Sequence, residues 1–144
     1  MLSIKPEVDF SREDVKGSVK KHYQGIIPPI ITPIDRHERV DEEGFCKLVD
    51  FCIEGGVDGI FVAGSNGETM SMSQSERDRA ISIVLRQAGG RVPVIAGIMD
   101  TSTARVIDNL KRLEQRGGTC AAVNEKEPDK QHTKCRLSGS ISYP

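Results

Sequence analysis

The sequence predicts an α/β fold, a partial (β/α)8 TIM barrel made of roughly the first three to four βα units, followed by a disordered C-terminal tail. Three observations predict it. Three times a helix-patterned stretch ends in a double glycine and passes at once into a short apolar run: Gly55-Gly56 into Val57–Gly64, Gly89-Gly90 into Arg91–Gly97, and Gly117-Gly118 into Thr119–Val123. Glycine just past a helix supplies a left-handed cap, and a following run rich in Val and Ile reads as a buried parallel strand. The glycine pairs recur at the spacing of one strand-helix unit. Length is the third observation: eight such units need about 250 residues, whereas this chain has 144, so a half barrel is expected.

The elements follow in order. Residues 1–24 are a polar lead-in in which Ser11-Arg12-Glu13-Asp14 marks at most a short, loosely held helix. The partial barrel occupies 25–123. Ile26-Ile27-Pro28-Pro29-Ile30-Ile31 reads as the first strand, and its two prolines prevent full hydrogen bonding on both sides, which suits an edge. The first helix starts after Val40 with Asp41 as N-cap and buries Phe45, Leu48, Val49, Cys52 and Ile53, a stripe at i, i+3, i+4, i+7 and i+8. The second opens with the capping box Ser73-Gln74-Ser75-Glu76 and buries Ala80, Ile81, Val84, Leu85 and Ala88. The third starts near Ser102 or Thr103 and buries Val106, Ile107, Leu110 and Leu113.

After Val123 the pattern stops. Residues 124–144 hold only Cys135, Leu137, Ile141 and Tyr143 as apolar residues, without helical or strand spacing. Such a segment buries too little surface to balance its ordering entropy, so it reads as an irregular or disordered tail. The abrupt change within the fourth strand is the pattern a frameshift leaves. The chain is therefore expected to be truncated, with apolar sheet and open edges that make it a homo-oligomer or aggregation-prone.

Composition removes several function classes. Twenty basic residues against 21 acidic ones give no field for nucleic acid and no polybasic membrane patch. The opening Met1–Glu7 is too polar for a signal peptide, and no apolar run approaches the ~18 residues of a membrane span. The four cysteines, Cys46, Cys52, Cys120 and Cys135, show no CxxC spacing, so reduced thiols in the cytoplasm are expected. Cys46 and Cys52 read as packing residues of the first helix. His132, Cys135 and Cys120 lack a fourth ligand for zinc, and no metal or cofactor is expected.

The most pointed local signal is Gly64-Ser65-Asn66-Gly67-Glu68-Thr69, at the end of the second strand. In parallel α/β folds the carboxyl ends of strands line the active site. Two glycines flanking Ser-Asn allow a tight turn whose N–H groups can converge on an anion, with the Ser65 hydroxyl and the Asn66 amide beside them. A plainer reading is a strand-helix turn in which a helix dipole favours Glu68. A nucleotide phosphate loop is the competing anion site, but no Lys-Ser/Thr follows Gly67 and the third Rossmann glycine is missing.

The turn, followed by Met72-Ser73 and Glu76, resembles the G-x-x-G-E-x-x-x-L-S-x-x-E signature of the dihydrodipicolinate synthase / N-acetylneuraminate lyase family, with Met72 in place of the usual leucine. The likeness runs from Gly25 to Gly118 and includes Pro28, Thr32-Pro33, Asp41-Glu42-Glu43, Gly55, Val57-Asp58-Gly59 and Arg91–Gly97. It implies a barrel enzyme, a lyase or aldolase, that joins a lysine to a 2-oxo acid, usually pyruvate, as a Schiff base. It also implies that Ser65 is a carboxylate ligand and the catalytic proton-relay hydroxyl, and Asn66 a second carboxylate ligand. Asn66 departs from the commoner threonine, and Thr101 replaces an asparagine usual after the third strand. The family's tyrosines and its strand-six lysine have no counterpart, and Lys126, Lys130 and Lys134 fall too early in the order of elements. A solvated lysine, with a pKa near ~10.4, is a poor nucleophile at neutral pH. The isolated chain is thus expected to be inactive. The alternatives are a non-catalytic fragment or packing partner of another chain and, more distantly, a nucleotide- or phosphate-binding domain.

Overall fold

The computed structural model describes residues 24–123 and the backbone of residues 133–135. Their order is α1 (Glu42–Glu54), β1 (Ile60–Val62), α2 (Gln74–Ala88), β2 (Val94–Gly97), α3 (Thr103–Gln115), β3 (Cys120–Ala122) and β4 (Thr133–Cys135). The sheet runs β1-β2-β3-β4, with β1, β2 and β3 parallel and each crossover made by a helix. This is the strand-helix succession of a partial barrel.

Two strand expectations are corrected. The 26–31 run is no full strand but a single parallel bridge, Pro29 to Phe61. Phe61 N–H donates to Pro28 O at 3.0 Å, and Ile30 N–H donates to Phe61 O at 2.9 Å. Pro28 faces β1 without an N–H to offer, which cuts the ladder short. The second correction lies in the tail, where Thr133–Cys135 pair antiparallel with β3 and cover an edge expected to be open. The rest of the tail and residues 1–23 lie outside the described residues.

Helix starts follow their caps. The Asp41 carboxylate accepts from Gly44 N–H, and Ser73 Oγ accepts from Glu76 N–H. The Glu76 carboxylate does not complete the box locally; it accepts from Val40 N–H at 2.6 Å and ties α2 to the start of α1. At α3 the N-cap is Ser102, whose side chain makes no capping bond.

One core lies between helices and sheet. Phe45 and Val49 of α1, Ile83 and Val84 of α2, and Ile60 and Val62 of β1 are among its most buried members. Ile83, absent from the expected stripe, is buried because α2 packs on α1 as well as on β1 and β2. The α3 stripe is shallower: Leu113 is buried, while Val106, Ile107 and Leu110 are half-buried. Alternation puts Phe61, Ile95, Cys120 and Ala122 on the opposite face. There Ile95, Cys120 and Ala122 are buried, so the sheet is not bare as expected. Cys46 and Cys52 are free thiols at half-buried positions, and burial pushes the Cys52 thiol up. Cys120 is disulfide-bonded, against the expectation of reduced thiols throughout.

Candidate functional site

The carboxyl end of β1 is shaped by backbone sterics. Ala63 turns the chain with φ of 56°, a left-handed conformation uncommon for a residue with a Cβ, and Glu68 repeats it at 53°. Gly64 is required because a Cβ there would come within 2.9 Å of the Phe61 ring. Gly97, on the neighbouring β2, is required because its Cβ would overlap the Ala63 carbonyl oxygen. The turn thus leans directly on the next strand.

Within it, Gly67 N–H donates to Gly64 O at 3.1 Å and Glu68 N–H to Ser65 O at 3.0 Å. Thr32, at the end of the bridged 26–31 segment, clamps the turn by donating its hydroxyl to Gly67 O at 2.8 Å. Gly64 and Gly67 are buried while Ser65 and Asn66 are exposed. The expected cradle of N–H groups is therefore narrower than predicted, because two of them bond inside the turn. Ser65 and Asn66, adjacent in sequence, are both exposed on its surface. Glu68 lies ahead of α2 rather than in its first turn, which holds Glu76, so the helix dipole does not account for it. Thr69 follows, fully buried, with its hydroxyl unpartnered.

The loop after β2 is held by charge. Asp100, with a side chain 10% exposed, faces the buried Arg77 of α2 at 3.6 Å and Arg105 of α3 at 2.7 Å. Its Oδ1 also accepts from Thr101 N–H at 2.7 Å. Burial raises the Asp100 pKa, but the Thr101 N–H, the Arg105 and Arg77 charges and the Asn109 amide outweigh it and hold the carboxyl below its ordinary value. Arg77 further donates to Met99 O at 3.1 Å, and the buried Asn109 to Ile98 O at 3.4 Å. Thr101, the position singled out in the sequence, thus sits on a loop tied to both α2 and α3. Its hydroxyl also accepts from Arg105.

Sequence reasoning missed Thr32, Gly97, Arg77, Asp100 and Asn109. Thr32 and Gly97 lay inside matched motifs and carried a signal; the charged brace carried none, since its members come from two helices and a loop. Lys47 and Lys111, the lysines of residues 24–123, are exposed on α1 and α3, and Lys47 pairs with Glu43. No tyrosine occurs in 24–123. Among the described residues no cluster of His, Cys, Asp or Glu could hold a metal, and no helix is long and apolar enough to cross a membrane. His132, Cys135 and the tail lysines lie outside the described side chains.

Parallel strands joined by helices, with exposed polar groups on the loop at the carboxyl end of β1, make this an α/β fold consistent with part of a barrel. Comparison with known proteins narrows this. Residues 22–124 match the model of the dihydrodipicolinate synthetase family, and the chain belongs to that family. It is 37% identical over 99 residues to the 4-hydroxy-tetrahydrodipicolinate synthase of Xylella fastidiosa, covering 69% of this chain and 33% of that one. The enzyme of the same name from Pelobacter propionicus is 40% identical over 95 residues, covering 66% and 32%. Among solved structures, YagE, a prophage protein of the dihydrodipicolinic acid synthase family from E. coli K12 in complex with pyruvate, superposes with a TM-score of 0.68 at 32% identity, covering 70% of this chain and 34% of that one. N-acetylneuraminate lyase from Mycoplasma synoviae shares the fold, with a TM-score of 0.65 at 24% identity over 70% of this chain and 35% of its own. The chain spans about a third of the length of the curated relatives it matches.

Proposed function

We propose that residues 64–67 form the carboxylate-binding part of a pyruvate-dependent lyase site of the aldolase type. In this reading Ser65 hydrogen-bonds one carboxylate oxygen of the 2-oxo acid and relays a proton during the reaction. The Asn66 amide donates to the other oxygen. The observation that carries it is the exposure of Ser65 and Asn66 between two buried glycines at the carboxyl end of β1, in a chain of this family. Neutral donors suit such a site, because they bind an anion without a counter-charge that would hold the product.

The reactive amine is not supplied by the described residues. Lys47 and Lys111 stand in water on helix surfaces, and amines in water stay protonated at neutral pH. In this reading the described residues bind the 2-oxo acid without supplying the Schiff-base amine, and the nucleophile comes from outside them. The test is mass spectrometry after borohydride reduction with pyruvate, run beside equilibrium binding of pyruvate. The expected result is saturable binding, weakened about tenfold in Asn66→Ala, with no added mass. A trapped adduct on any lysine, or binding indifferent to Asn66→Ala, would overturn the reading.

A further inference from the structure

On the outer surface, α2 and α3 border two adjoining open clefts, and we infer that they form one site for a phosphate monoester with a compact apolar body. The first cavity, about 740 Å³, is lined by Arg79, Arg112 and Arg116 around Asp78. The second, about 480 Å³, shares Ser82 and Arg116 with it and adds Leu85, Ala88, Val92 and Val94. Gly90, Gly117 and Thr119 on its wall precede β2 and β3, so it opens at the amino ends of the strands, away from residues 64–67.

The charges explain why an anion belongs there. Arg112 at 3.3 Å and Arg116 at 3.0 Å converge on the same Asp78 oxygen, while Gln74 donates to the other at 3.0 Å. Glu42 likewise draws both Arg79, at 3.5 Å, and Arg86. Each carboxylate thus faces two guanidiniums and neutralises half their charge. Each guanidinium carries five donors in a planar fork, more than these contacts use. A dianion with three acceptor oxygens satisfies those donors and relieves the repulsion between neighbouring arginines. A bare inorganic ion leaves the second cavity unused, whereas an ester's apolar body fills it against Leu85, Val92 and Val94. The site stands whether or not the turn at 64–67 takes a 2-oxo acid.

The test uses the full chain, with inorganic phosphate and phenyl phosphate titrated at constant ionic strength by calorimetry. Phenyl phosphate is expected to bind more tightly than inorganic phosphate. Both are expected to weaken about tenfold in Arg79→Gln and in Arg116→Gln. Arg79 makes no contact with Asp78 in the pairs described, so the first variant leaves that buried carboxylate paired. Arg39→Gln, at a residue that lines neither cavity and pairs with Asp35, is expected to change nothing. Absence of binding, equal affinity for the two probes, or equal weakening by Arg39→Gln would overturn the inference.

Discussion

The loops that follow β1 and β2 occupy equivalent places in successive strand-helix units, yet they are held by different physics. The first is fixed by backbone sterics: left-handed Ala63 and Glu68, two buried glycines, and Gly97 giving way to the Ala63 carbonyl. The second is fixed by a buried charge, Asp100, gripped from α2, α3 and its own backbone. Steric fixing leaves the side chains of Ser65 and Asn66 free for a ligand. Ionic fixing commits Asp100 to the scaffold and leaves Thr101 as the loop's marked position. The difference teaches that two loops in equivalent places can differ in what holds them: one keeps its polar side chains exposed, the other commits a carboxylate to the scaffold.

Breaking the sterically held loop gives the largest effect. Gly97→Ala drives a methyl into a backbone oxygen that cannot swing away, and a loss of about 3 kcal/mol or more in urea unfolding is expected. The ionic loop comes next. Asp100→Asn leaves the buried Arg77 without its counter-charge, for an expected loss of about 3 kcal/mol. The pH dependence carries the same signature. Because the folded pKa of Asp100 is depressed, its contribution is present above the ordinary carboxylate pKa of ~3.9 and is lost as pH falls through the lower folded value. The variant's unfolding midpoint is therefore expected to vary less below pH ~4 than that of the parent chain.

Smaller changes sharpen the comparison. Thr32→Val removes the clamp on Gly67 O and is expected to cost about 1 kcal/mol. Ala63→Gly relieves the left-handed strain but adds unfolded-state freedom, so a net gain of under about 1 kcal/mol is expected. Capping separates α2 from α3 in the same way. Ser73→Ala is expected to cost about 1 kcal/mol, because its hydroxyl caps Glu76 N–H. Ser102→Ala, with no capping bond to lose, is expected to change stability by less than about 0.5 kcal/mol. Thermal melts of the paired variants check both.

Much of this was legible because local rules agree with the fold. Asp41 and Ser73 announced two helix starts, and apolar spacing found Phe45, Val49, Ile81 and Val84. Ile83 escaped because a stripe predicts one buried face, and α2 packs on α1 beyond its contact with the sheet. The first strand is shorter than its apolar run predicts, because Pro28 has no N–H to donate to the ladder. Glycine spacing and family likeness point to Ser65 and Asn66, and the structure shows both exposed. Arg77 and Asp100 could not, because ion pairs across 23 positions leave no periodic trace. Glu76 shows the same limit: its sequence fits a capping box, but tertiary contact turns its carboxylate to Val40.

We propose that the turn after β1 grips a 2-oxo acid while the lysines of residues 24–123 stand on helix surfaces. Amide chemical shifts recorded during a pyruvate titration test it most directly. Saturable shifts centred on Ser65, Asn66 and Gly67, needing about tenfold more pyruvate in Asn66→Ala while the spectrum elsewhere is preserved, are the predicted result. Shifts that fail to saturate, or that centre on another part of the chain, would contradict it.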